Sequence, residues 1–134
     1  MKKFNDWLNE NEMLVEMARI GYADNLEIYV LTDDPGYIPH IHIRDRETKG
    51  KVFDTCIKFD SANYFQHGHH DDKLNSKQKK ILNDFLHSSP SNGLVSTNFE
   101  YAVILWNDNN SKQNVEIKKD ENGNVIIPDY TKLP

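Results

Sequence analysis

Residues 39–44 read Pro39-His40-Ile41-His42-Ile43-Arg44, and this strict polar–apolar alternation fits a strand and no amphipathic helix. Successive side chains on a strand point to opposite sides of the sheet. His40, His42 and Arg44 then share one side, and Ile41 and Ile43 the other. Residues 51–60 repeat the pattern, with Phe53, Thr55, Ile57 and Phe59 alternating with Asp54, Cys56 and Lys58. Two such strands, nearly adjacent in the chain, call for a sheet with an apolar face and for helices that cover it.

The covering helices are legible. Ile81, Leu82, Phe85 and Leu86 form a helical stripe after Ser76, a good N-cap. Phe53, Ile57 and Phe59 are expected to pack on Ile81, Leu82 and Phe85. Thr97-Asn98-Phe99-Glu100 matches a capping box, so a further helix should run from there to the cluster at 107–110, with Trp106 as a core anchor. Upstream, residues 19–22 and 26–32 read as strands joined around Ala23-Asp24-Asn25. Phe4, Trp7 and Leu8, followed by Leu14, Val15 and Met17, suggest an N-terminal helix that packs on the core or docks to a partner. At the other end, residues 115–117 and 125–127 flank Asn122-Gly123, a hairpin signature. The expected fold class is α+β: a small antiparallel sheet packed against two or three helices, with a C-terminal β-hairpin. Its expected divisions are an N-terminal helical extension at 1–16, a core at 17–110, and a hairpin with tail at 111–134.

A length of 134 residues suits one domain, and 37% hydrophobic residues suffice for one modest core. Lys and Arg number 16 against 21 Asp and Glu, for a net charge of -5. That balance does not indicate a nucleic-acid partner, since phosphate contact favours a basic surface. Cys56 is the single cysteine, which leaves no intrachain disulfide and suits a reducing compartment. Polar residues at 5–12 interrupt any secretory h-region, and the apolar run at 101–106 is too short for a membrane span. A cytoplasmic location is the expectation.

Five of the six histidines fall in two groups, His40 with His42 and the run His67-Gly68-His69-His70-Asp71. Imidazole is the commonest metal ligand. His40 and His42 are about 7 Å apart by strand rise, and rotation of the side chains can bring both to one ion. A zinc site wants three or four ligands, so His67, His69, His70 or Asp71 would supply the rest. The candidate cofactor is a divalent transition metal such as zinc. The plainer reading is a polar sheet face and a solvated turn. A third option is metal-free acid–base chemistry by His40 and His42 on a phosphodiester, although only one such motif is present.

Three resemblances bear on these residues. His-x-His followed by Glu47 resembles the first motif of the cupins, without its glycine spacing or a second motif. The histidine-triad nucleotide hydrolases need a third alternating histidine where this chain has Arg44. The stretch 17–110 resembles a prokaryotic family of unknown function with a Pro-His-x-His strand motif after an Asp/Asn-rich loop. Here that is Asp33-Asp34-Pro35-Gly36-Tyr37-Ile38-Pro39-His40-Ile41-His42, followed by a strand, Gly68 and the helix at 76–87. The chain departs from the family at Ile38, where a second proline is common, and in its N-terminal, loop and C-terminal additions. The resemblance implies a toxin–antitoxin-like gene pair and a protein partner, and transfers His40 and His42 as functional positions.

Two smaller signals remain. Lys73, Lys77 and Lys80 follow the histidine loop at helical spacing, so Lys73 and Lys77, with Arg44, form a candidate anion-binding set beside a solvated-face reading. Cys56 reads as a small semi-buried residue or as a ligand. The leading expectation is a small interaction or regulatory module. The alternative is a metal-dependent hydrolase acting on a phosphodiester through the histidine cluster.

Overall fold

A computed structural model describes residues 17–31, 38–45, 53–65, 72–93, 95–110 and 114–134. The expectations for the N-terminal helix, for Glu47, and for His67, His69, His70 and Asp71 lie outside the described residues. So does the Phe53 side chain.

The α+β expectation holds. Strands β1 (Met17–Ala23), β2 (Leu26–Leu31), β3 (His40–Asp45) and β4 (Phe53–Lys58) form one antiparallel sheet in the order β1-β2-β3-β4. Helices α1 (Ser76–His87) and α2 (Asn98–Asn109) follow, and a 3-10 turn at Tyr130–Lys132 comes last. No helix among the described residues is long and apolar enough to cross a membrane.

The β1–β2 reversal takes place at Asp24 and Asn25, with Ala23 paired to Leu26. Asp24 sits at φ +52°, a left-handed conformation that Asp tolerates better than most residues. The register of β1 slips between Arg19 and Gly21, so the bulge re-aims the end of the strand. Gly21 then admits the Phe85 ring of α1. A β-carbon there would lie 2.9 Å from the tip of that ring, so the close approach needs a glycine.

Ile28 pairs with Ile43, Ile43 with Thr55, and Ile41 with Ile57. These residues are fully or almost fully buried, in one cluster with Leu82 and Leu86 of α1 and Ala102, Val103 and Trp106 of α2. Phe59 is buried as expected, but its nearest rings are Phe99 and Trp106 of α2, at centroid distances of 6.0 and 6.1 Å. The helix stripe at 81–86 packs instead nearer β1, where the glycine gives it room.

Both helix starts differ in detail from expectation. Asn75, not Ser76, caps α1: its side-chain oxygen accepts from Gln78 N, and the Gln78 side-chain oxygen accepts in return from Asn75 N. Asn is as good a cap as Ser, and Gln78 selects it by completing the reciprocal pair. Thr97 caps α2 by accepting from Glu100 N at 3.1 Å, but the Glu100 carboxylate accepts from Ser96 Oγ. That is half a capping box.

The C-terminal hairpin is reduced to its turn. Gly123, at φ +83°, allows the reversal, and Lys119 and Val125 form one isolated antiparallel bridge. No strand ladder joins 115–117 to 125–127. Val115, Ile117, Val125 and Ile127 pack on the core, which competes with regular pairing. The chain end belongs to the same core. Tyr130 is fully buried and its hydroxyl donates to the carbonyls of Lys58 and Phe59, while Lys79 Nζ donates to Leu133 O.

Candidate metal centre

Antiparallel register places Tyr29 beside His42 and His42 beside Cys56. Strand pleating puts all three on the sheet face opposite Ile28, Ile41, Ile43 and Ile57. His40 stands two residues before His42 on the same face. One ligand atom each from His40, His42 and Cys56 can be chosen so that all lie within 4.8 Å of one another. All three residues are completely buried.

The chemistry of each group follows from its contacts. His40 Nδ1 lies 2.6 Å from the carbonyl oxygen of Ile38, which only accepts, so Nδ1 carries the proton. The lone pair is then on Nε2, the usual outcome when a second group orients a ligating histidine. His42 Nδ1 lies 3.3 Å from Cys56 Sγ, and Nε2 lies 3.9 Å from it. Aromatic rings hold both imidazoles. Tyr29 stacks on His42 at 5.1 Å and 19°, and His40 meets Phe65 at 4.7 Å and Trp106 at 5.3 Å.

Phe65 reaches this face because residues 63–65 run along the outer edge of β4. Tyr64 bridges to Ile57, and Phe65 N donates to Cys56 O. Asp72 N donates to Asp54 O, and Asp54 N donates to Asp72 Oδ2. The described residues on either side of 66–71 are thus fastened to β4 at Cys56 and Asp54.

The same face continues into an ion network. Glu27 is 1% exposed and accepts from Arg19 Nε at 2.8 Å and from Arg44 Nε at 3.1 Å. Burial pushes its carboxyl up, but the Arg44 and Arg19 hydrogen bonds and charges outweigh it and hold the group below the usual range. The hydrogen bond to Glu27 raises Arg44 against the opposing effect of burial. Arg44 also lies over the Tyr29 ring at 5.2 Å. Burial raises the Tyr29 hydroxyl well above the ordinary tyrosine range, so Tyr29 is a neutral wall for His42.

The candidate residues from the sequence separate here. His40 and His42 come together as expected, and their face is buried rather than half-exposed. Arg44, Lys73 and Lys77 are engaged in different places. Arg44 is tied to Glu27, Lys73 lies 4.4 Å over the Tyr64 ring, and Lys77 lines a pocket rimmed by Asp24 and Asp45. A pocket with two carboxylates at its rim is poor ground for an anion. Cys56 and Tyr29 were the residues hardest to assign from sequence. Only the cross-strand register brings them to His42. A cleft of about 330 Å³ lined by Ile38, Pro39, Phe59, Val115, Glu116 and Lys118 carries no histidine or cysteine among the described residues.

No family model, no curated protein and no solved structure matches the chain.

Proposed function

We propose that this protein is a small transition-metal-binding module, with His40, His42 and Cys56 as its ligands. The observation that carries this reading is the convergence of two imidazoles and a thiol within 4.8 Å, all fully buried, from two adjacent strands. Nitrogen and sulfur donors together suit zinc and its late transition-metal neighbours, with bonds of about 2.0–2.3 Å. Placement on strands favours it too, since a sheet holds its side chains more firmly than a loop does.

Burial separates this reading from the hydrolase alternative. A metal that activates water for attack on a phosphodiester needs a ligand position open to substrate. Completely buried ligands suit an ion that holds structure or reports its own presence. A metal-dependent interaction or regulatory role, with a protein partner as the family resemblance implies, agrees with that burial.

The test is elemental analysis of untagged protein purified from metal-replete medium. Stoichiometric zinc, copper or nickel is expected, with loss of the ion in His42→Ala and an unchanged far-UV spectrum. A folded wild-type protein that takes up none of these ions, even after reconstitution, would end the reading. His67, His69 and His70 enter the same test through a triple alanine variant, in which weaker retention would make the loop a contributor.

A further inference from the structure

We infer that the ion this centre selects is monovalent copper rather than divalent zinc. The inference rests on the metal-binding reading above and deepens it. Three observations lead to it.

The first is charge. Two neutral imidazoles and one thiolate carry a single negative charge. Copper(I) makes that set neutral, whereas zinc(II) leaves a net positive charge in a site whose three ligand residues are 0% exposed. Net charge is costly to bury unless it is paired. Of the carboxylates on this face, Glu27 is already bound to Arg19 and Arg44, and Asp54 stands outside the ligand cluster.

The second is the donor set. Among the described residues the cluster is His40, His42 and Cys56, with no carboxylate in it. Thiolate is a soft donor that favours copper(I), and imidazole accepts copper readily. Three donors of this kind complete a trigonal copper(I) site, whereas structural zinc sites use four.

The third is the wall. Tyr29 lies on His42, and Phe65 and Trp106 lie on His40. A wall of rings solvates a neutral copper–thiolate unit better than a charged zinc complex. Binding is a simple exchange. The Cys56 S–H proton leaves to solvent as the copper–sulfur bond forms, and both imidazoles donate lone pairs. Copper enters as copper(I), and no electron is transferred.

The experiment titrates the full-length protein anaerobically with copper(I) buffered by bicinchoninate, and separately with zinc(II). A Trp7→Phe background leaves Trp106 as the sole indole, and its ring 5.3 Å from His40 reports occupancy by quenching. Stoichiometric copper(I) uptake is expected, unmoved by excess zinc. X-ray absorption should show one sulfur and two nitrogen neighbours. Cys56→Ser should weaken copper(I) by about 100-fold or more, beyond the usual effect of a supporting residue. Changing His67, His69 and His70 together to alanine should leave copper(I) affinity unchanged.

Stable zinc uptake that copper(I) cannot displace would overturn the inference and leave the metal-binding reading standing. So would four-coordinate absorption data, or loss of copper(I) in the triple variant. Uptake of neither ion would overturn both. Because the absorption measurement uses wild-type ligands, a Cys56→Ser protein that fails to fold does not protect the inference.

Discussion

Both faces of strand β3 are buried, yet they are buried by different means. On one face Ile41 and Ile43 meet Ile28, Thr55 and Ile57 beneath the two helices, and contact between apolar surfaces accounts for the packing. On the other, His40 and His42 are equally inaccessible, among Tyr29, Cys56, Phe65 and the Glu27–Arg44 pair. Polar groups leave water only where partners replace it. The first face tolerates exchange among apolar shapes. The second depends on identity, because it is held by particular contacts: His42 with Cys56 and Tyr29, and Glu27 with Arg19 and Arg44.

The largest effect should come from the apolar side. Phe59→Ala removes a buried ring from Phe99 and Trp106 and should cost about 3–5 kcal/mol in denaturant unfolding. A cost below about 1 kcal/mol would place Phe59 outside the core and blur the contrast between the faces. Next comes the polar side with its ion. At a free metal concentration about 100 times Kd, the folded protein should gain roughly 2.7 kcal/mol, read as a rise in Tm. His42→Ala should gain nothing. A metal-induced rise that survives in His42→Ala would move the ion elsewhere.

A smaller effect probes the ion network. The folded-state pKa of Glu27 lies below its ordinary value, so the folded protein binds fewer protons than the unfolded chain at acid pH. Its stabilisation is therefore full above the ordinary carboxylate pKa and is lost as pH falls through the lower, folded value. Stability measured from about pH 5 to 2 should fall more steeply in the wild type than in Glu27→Gln. Arg44→Met leaves Glu27 with Arg19 alone. It should cost about 1–2 kcal/mol near neutral pH, less than a fully buried pair because Arg44 is half-exposed. Equal acid slopes would show that the network carries no pH-linked stability.

The smallest effect has the opposite sign. Thr55 Oγ1 is buried on the apolar face and finds no hydrogen-bond partner among the described residues. Thr55→Val should stabilise the fold by about 1 kcal/mol, because it removes an unpaired hydroxyl. A comparable loss would reveal that this face, too, holds a matched polar contact.

Much of the fold was legible because it depends on local pattern. The alternation in 39–44 and 51–60 marked both strands and both faces, and the stripe at 81–86 marked α1. The turn at Asp24-Asn25 was visible from composition. Cap positions were less secure, since Asn75 and Ser76 are both good caps and only the reciprocal bond of Gln78 decides between them. The C-terminal pair of segments shows the limit of turn signals. Asn122-Gly123 makes the reversal, but core packing of Val115, Ile117, Val125 and Ile127 replaces the ladder. The candidate site was half visible. His40 and His42 announce themselves by spacing, whereas Cys56 and Tyr29 do not.

Sequence alone determined which side chains of β3 share a face, because pleating is a property of one strand. It also determined that a covering helix follows. Tertiary structure decided what stands opposite His42. Register depends on the path taken between strands, and a shift of one residue would turn Cys56 to the other face. Tertiary structure also decided that the histidine face is buried. Its burial comes from Phe65, Trp106 and the cross-strand pairs, and hydropathy along β3 carries no record of those partners.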